Sequence, residues 1–315
     1  MAGVQDRRPA REAAVVIIDA CTFYNEFGLL KLRMATLAHV VDRFVVVEMG
    51  VTHSGVRKGF VLEDYLDQLP VPRERICYVK LCDWPRVNPR HEADRWVLEN
   101  FQRNAITRGL DMIGAGKDDT VIISDVDEIP DPAAIPVAVA ALRSKPFAVL
   151  VQVYRKHFIN GLPHAYVNSP LWLGSVLCRV GQLDTLDATA CRRGDGDRAA
   201  FLWTDGAMRA DTAYITRGGW HLTYMGGVDA VRLKLESIVE GLEAHQPKAF
   251  FVPQRSRHNF RDGRTPQVER WVAETDIGIV PRRPLSTPEL RYLPEPVLTD
   301  PTEWEWLWWY AQTID

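Results

Sequence analysis

With 315 residues, 46% of them hydrophobic, the chain is long enough for one large or two small domains and can bury a sizeable core. Its 38 basic residues are slightly outnumbered by 41 acidic ones, giving a formal net charge of −3 and a pI near 6.3; this excludes a broad electropositive surface for nucleic acid, so an anionic ligand must be held locally. The five cysteines (Cys21, Cys77, Cys82, Cys178, Cys191) are scattered and lack a CxxC pair, which excludes a disulfide framework and a zinc knuckle and points to free thiols in a reducing compartment.

The N-terminus is polar and arginine-rich, and the apolar run from Ala13 to Ile18 is too short for a signal core or a membrane span. A cytoplasmic chain without a transmembrane segment is expected, and the excess of arginine over lysine suggests a bacterial source. Val15 to Ile18 reads as a strand covered on both faces. Leu30, Met34, Leu37 and Val41 share one face of a helix starting near Phe27, and Arg43 to Val47 forms a second strand ending at Glu48. Strand, helix and strand in so short a span imply a right-handed crossover and a parallel pair.

Met49 to Gly59 is a loop at the carboxyl end of the second strand, the edge at which α/β folds bind ligands. A third strand is expected over Ile76 to Leu81, a helix over His91 to Leu110 with Val97, Phe101 and Ala105 aligned, and a fourth strand over Thr120 to Ser124. Pro132 opens another helix, and Phe147 to Tyr154 gives a fifth strand. Beyond about Asn160 the periodicity weakens. A proline-rich connector from Val280 to Pro296 leads to Asp300-Pro-Thr-Glu303, which reads as the capped start of a helix with Trp304, Trp308 and Trp309 on one face, docked on the body.

The fourth strand delivers Asp125-Val-Asp127-Glu128-Ile-Pro130. Residues two apart in an extended segment point the same way, so Asp125 and Asp127 present two carboxylates on one side of a sheet edge, a donor set that suits Mg²⁺ or Mn²⁺. A cation held by only two protein carboxylates keeps coordination positions for substrate phosphates and offsets charge growing on a diphosphate leaving group, as in glycosyl transfer. A solvated turn is the competing account of two acids at a strand end. Upstream, the Arg103 guanidinium can clamp phosphate or ribose and the Asn104 amide can hold the first carboxylate, with an ordinary solvated helix face as the alternative.

These pieces, together with Asp19-Ala-Cys-Thr-Phe23-Tyr-Asn25-Glu26, Leu29-Leu30-Lys-Leu-Arg33, Asp42-Arg-Phe44-Val-Val-Val-Glu48, Ser54-Gly55-Val-Arg-Lys58 and, about ninety residues after the pair, Gly219-Trp220-His221 followed by Lys234-Leu-Glu-Ser237, resemble glycosyltransferase family 17. The resemblance runs from about Asp19 to Phe260. It implies an α/β fold of GT-A type, a Rossmann-like, mixed, mostly parallel sheet flanked by helices. It further implies a UDP-sugar donor, UDP-N-acetylglucosamine first, an inverting mechanism, Mn²⁺ or Mg²⁺ as cofactor, and a glycan or small-molecule acceptor. The implied organisation is a domain over 12–260, with a nucleotide-sugar half (12–130) and an acceptor half (131–260), followed by a C-terminal extension (261–315).

The same likeness gives His221 a role as third metal or diphosphate ligand and Glu48 a role in recognising the nucleoside. Lys58 and Arg33 are candidates for diphosphate contact, with surface ion pairing as the alternative, and Asn25 and Glu26 for the crevice wall, with capping of the helix at Phe27 as the alternative. Inversion needs an acceptor-side carboxylate base; Glu243 ranks ahead of Asp205 and Glu240, although Ile238-Val-Glu240-Gly-Leu-Glu243 lacks the Ser-His-x-Glu of many bacterial relatives. Trp172 and Trp203 are candidates for stacking on an acceptor sugar, and Trp220 for the core. Two rival readings are a Mg²⁺-dependent phosphoryl-transfer enzyme of haloacid-dehalogenase type and a non-catalytic sugar-binding module. The former places its Asp-x-Asp after the first strand and follows it with Gly-Thr, unlike Glu128-Ile129 here.

Overall fold

The computed structural model describes residues 15–88, 91–156, 158–163, 171–193, 211–226, 230, 233–234, 237 and 282–308. The expected parallel core is present. β1 (Ile17–Phe23), α1 (Phe27–Leu37), β2 (Arg43–Met49) and β3 (Ile76–Leu81) build the first crossovers. α2 (Glu92–Asn104), α3 (Ile106–Met112) and β4 (Thr120–Asp125) follow, β4 lying parallel to the other side of β1. The chain continues through β5 (Glu128–Pro130), α4 (Ala134–Ala141), β6 (Phe147–Lys156), β7 (Gly161–Pro163), β8 (Leu171–Arg179), α5 (Ala188–Arg193), β9 (Thr212–Ile215) and β10 (Gly219–Thr223). The main sheet runs β3-β2-β1-β4-β8-β6-β10-β5, with β9 beside β6; β8 is antiparallel to β4 and β6, and β5 antiparallel to β10.

The central strands are apolar on both faces because both are covered. Ile18, Val45, Val47, Val79, Val121 and Ile123 pack under α2 and α3 on one side. Leu30, Met34 and Leu37 of α1 meet Cys21, Val46 and Ile122 on the other, as the spacing of the helix residues requires. The helix expected over His91 to Leu110 is two helices, breaking at Ala105. The break lets Gly109 press onto β2, where an added Cβ would lie 2.3 Å from Val45. It also turns α2 so that Val97, expected on the inner face, is 43% exposed while Leu98, Gln102 and Arg103 are buried.

The late part of the chain held the strands that apolar periodicity did not disclose. β10 is the Gly-Trp-His segment itself. Gly219 has φ +125°, and a Cβ there would stand 2.1 Å from the Ile129 carbonyl. Only glycine permits that backbone approach, which pairs His221 with Glu128 across β10 and β5.

The described C-terminal residues form β11 (Arg282–Pro284), which pairs with β7, then α6 (Thr287–Leu290) and α7 (Glu295–Thr299). In place of the helix expected after Asp300 there are turns and a short 3₁₀ segment, Glu305–Leu307, with the Glu303 amide capped by Asp300 at 3.2 Å. Trp304 and Leu307 are nevertheless buried beside Leu29, Leu32 and Trp220, so the segment docks on the body and Trp220 is core. Trp309 lies outside the described residues. All five cysteines are free thiols, four of them buried, and among the described residues no helix is long and apolar enough to cross a membrane.

Candidate active site

The carboxyl ends of β1, β2 and β4 open onto a cavity of about 430 Å³, which Asp125 and Asp127 both line together with Arg103, Glu128, Trp172, His221 and Lys234. Asp125 ends β4, whereas Asp127 sits in the turn before β5. Their common direction therefore comes from a turn with Val126 buried in its middle, not from a continuing pleat.

Arg33 builds the floor beneath that turn. It is fully buried on α1 and pairs with Asp19 of β1 through Nε at 2.7 Å and Nη2 at 2.6 Å. Its remaining donors reach Ser124 Oγ (2.5 Å) and the backbone carbonyls of Asp125 (3.1 Å) and Glu128 (2.7 Å). Burial opposes its charge, yet Asp19 holds its pKa above the usual arginine range. The diphosphate role expected for Arg33 is thus corrected: every donor is used inside the protein, and the residue fixes the turn that carries the pair.

Glu48 is corrected for the same reason. It is fully buried and accepts from Lys58 Nζ, Tyr78 Oη (2.6 Å), Val61 N (2.8 Å) and Leu62 N (3.1 Å), which leaves no capacity for a nucleoside. Asn104 is corrected too: its amide donates to Asp187 (3.0 Å) and accepts from the Thr189 amide (2.9 Å), anchoring α5 instead of the first carboxylate. Asn25 contributes backbone alone to the turn before α1, while the neighbouring Glu26 carboxylate, which accepts from the Tyr24 and Asn25 amides at 3.2 Å, lines the cavity. Lys58 also lines it, its ammonium 5.4 Å from the Tyr24 ring centre.

Asp125 is held by two arginines. Arg103 Nη2 reaches Oδ1 and Arg192 Nη2 reaches Oδ2, each at 3.0 Å, and the aspartate side chain is 35% exposed. Desolvation alone would raise its pKa, but the two guanidiniums outweigh it and hold the carboxyl well below the usual range. Arg103 is buried: its Nη2 grips Asp125 at the cavity, while its Nε and Nη1 are closed off from solvent with no hydrogen-bond partner among the described residues.

Asp127 is buried. Burial is again outweighed, here by Lys234 (Nζ to Oδ2, 2.6 Å) and by His221 (Nε2 to Oδ2, 3.6 Å), and its carboxyl also lies below the ordinary range. Its Oδ1 makes no hydrogen bond among the described residues. Glu128 goes the other way: burial pushes its pKa up even though Arg192 lies at 2.5 Å, and it accepts from Trp172 Nε1 at 2.6 Å. Trp172 packs 4.6 Å from the His221 ring and Tyr154 lies edge-on to it at 5.2 Å, forming an aromatic wall.

The donors fit a hard divalent cation. No group of three His, Cys, Asp or Glu side chains forms a metal cage among the described residues, but a Mg²⁺- or Mn²⁺-type ion needs only one or two carboxylates and completes its shell with water and substrate phosphate. An ionised Asp127 with one free oxygen at the cavity wall, and an ionised Asp125 beside it, meet that need. Arg192 and Gln102 were not singled out from the sequence; Arg192 lies in a short helix with no periodic signal, and Gln102 is one polar residue among many in α2. Glu243, Glu240, Asp205 and Trp203 lie outside the described residues.

The model of the family described as glycosyltransferase family 17 matches residues 5–151. Two relatives named beta-1,4-mannosyl-glycoprotein 4-beta-N-acetylglucosaminyltransferase, from Rattus norvegicus and Homo sapiens, are each 32% identical over 130 residues, 40% of this chain and 24% of theirs. The matched part thus spans about a quarter of the length of these curated relatives. Among solved structures, 4-diphosphocytidyl-2C-methyl-D-erythritol synthase has a TM-score of 0.38 at 12% identity, covering 65% of this chain and 89% of that one. Glucosyl-3-phosphoglycerate synthase from Mycobacterium tuberculosis, in complex with Mn²⁺ and UDP-glucose, has a TM-score of 0.37 at 14% identity, covering 71% and 78%. It is glycosyltransferase family 17, then, that residues 5–151, Asp125 and Asp127 among them, resemble.

Proposed function

We propose that the protein is a glycosyltransferase that moves a sugar, N-acetylglucosamine first, from a UDP-sugar to an acceptor hydroxyl with inversion and with the help of Mn²⁺ or Mg²⁺. The observation that carries this reading is the convergence of Asp125 and Asp127, both ionised, on one cavity beside the Arg103 guanidinium. The family match over the same residues and the name of the relatives support the transferred group.

When bound, the cation supplies positive charge to the departing diphosphate. Asp127 would hold it through the free Oδ1, with His221 next to it, and Asp125 would be kept ionised and in place by Arg103 and Arg192. Arg103, fixed on Asp125 at the cavity wall, adds positive charge near the phosphate oxygens, where negative charge grows in the transition state. Lys234, paired with Asp127 at 2.6 Å, is close enough to share in the same task. The Trp172 and Tyr154 rings offer flat apolar faces to a pyranose on the acceptor side. Glu243 is proposed first as the base that takes the acceptor proton, ahead of Asp205 and Glu240.

Incubation with UDP-sugars, with and without Mn²⁺, tests the reading through release of UDP. Metal-dependent release that disappears in Asp127→Ala is the expected result. Release of phosphate from small phosphoesters instead would replace the transferase by a phosphohydrolase.

A further inference from the structure

We infer that His53 reads the imino N–H of a uracil base through Nδ1, in a tautomer imposed by Gln102; the inference rests on the proposed uridine diphosphate donor. Gln102 is buried in the last turns of α2 and donates both amide hydrogens, to the Phe23 carbonyl at 3.0 Å and the Val47 carbonyl at 2.9 Å. Phe23 ends β1 and Val47 lies two residues before the end of β2, so the amide spans the gap between two parallel strands. With both hydrogens committed, Oε1 can only accept, and its partner at 2.8 Å is His53 Nε2. His53 Nε2 must therefore carry the hydrogen. A neutral imidazole so bonded presents a bare lone pair at Nδ1.

His53 is partly exposed on the wall of the cavity, and no second hydrogen bond to it forms among the described residues. Its loop is held firmly. Gly55 turns at φ +84° and donates to the Thr52 carbonyl at 2.9 Å, Lys58 donates to the Gly50 carbonyl at 3.0 Å, and Ser54 donates to the Ser237 carbonyl at 3.1 Å. A ring fixed by its loop and by Gln102 loses little freedom when it binds, which favours selectivity.

The distance scale suits a nucleoside diphosphate. Gln102 precedes Arg103, the residue that grips Asp125, and β1 lies between β2 and β4 in the sheet. Base and diphosphate sites are then one to two strand spacings apart, roughly 5–10 Å. An acceptor at Nδ1 satisfies the imino N–H of uracil and opposes the bare ring nitrogen that cytosine presents at the same place. A site built to accept rejects the base that cannot donate.

Two measurements test this. Long-range ¹⁵N–¹H correlation spectra of histidine-labelled protein, with the His53 signal assigned by its loss in His53→Ala, should show hydrogen on Nε2; hydrogen on Nδ1 overturns the inference. Calorimetric titration in the presence of Mn²⁺ should show UDP favoured over CDP by roughly tenfold in the wild type, with the ratio falling towards one in His53→Ala through weaker UDP binding. An unchanged ratio in a folded His53→Ala overturns the base assignment and leaves the transferase reading standing. Absence of UDP binding to the wild type overturns both.

Discussion

Two arginine–aspartate clusters lie on either side of the turn that carries Asp127, and their difference separates scaffold from site. Below the turn, Arg33 spends every donor on Asp19, on Ser124 and on two backbone carbonyls, and each Asp19 carboxylate oxygen accepts from it. Above it, Arg103, Arg192 and Lys234 meet Asp125, Asp127, Glu128 and Glu99, more acids than bases, and bonding capacity is left over at Arg103 and Asp127. The lower pair is closed off, with Asp19 1% exposed, whereas the Asp125 side chain above is 35% exposed. What distinguishes them is access: Asp125 and Asp127 line the cavity, and Arg33 and Asp19 do not.

The comparison breaks first at Arg33. Arg33→Met should cost about 3–5 kcal/mol in chemical denaturation, because Asp19 would be left as an uncompensated buried charge. A loss below ~1 kcal/mol would mean that the lower cluster is no scaffold. Asp127→Ala should do the reverse, lowering Mn²⁺-dependent UDP release by about a hundredfold or more while changing stability by less than about 1.5 kcal/mol. Equal damage to folding would erase the distinction between the clusters.

Acid sharpens it. Lys234 and His221 depress the Asp127 carboxyl, so the unfolded chain binds its proton more readily than the folded one does; the stabilisation is present above the ordinary carboxyl value of 3.8 and is lost as pH falls below it. Glu128, with a raised value, contributes in the opposite sense, favouring the fold below its ordinary 4.5 and losing that contribution as pH rises. Lys234→Met should therefore flatten the acid limb of a stability–pH curve by roughly 1–3 kcal/mol, read from urea midpoints between pH 2 and pH 6. The smallest effect belongs to Trp172→Phe, which keeps the ring but removes the donor to Glu128 and should cost about 1 kcal/mol, with a weakened acceptor KM if the aromatic wall seats a sugar.

Much of this architecture is legible in the amino-acid order. The runs Val15 to Ile18, Arg43 to Val47 and Thr120 to Ser124 read as strands of a covered sheet, and Leu30, Met34 and Leu37 share one face of a helix. Asp125 and Asp127 stand out because two acids follow such a strand. By contrast, β10 opens on a glycine at positive φ and is only five residues long, so period alone does not reveal it.

The sequence by itself determined the parallel core and the carboxylate pair, since both arise from local pattern: apolar runs that must be buried and acids at the end of one of them. Only the tertiary structure decided which charges are spent. Arg33, Glu48 and Asn104 look from their positions like ligand contacts, yet Arg33 and Glu48 are saturated by partners distant in sequence and Asn104 is turned to Asp187 and Thr189. Arg103 and Gln102 sit one residue apart on the same helix, yet one retains free donors and the other has none, because hydrogen-bond partners are chosen by packing in space and not by order along the chain.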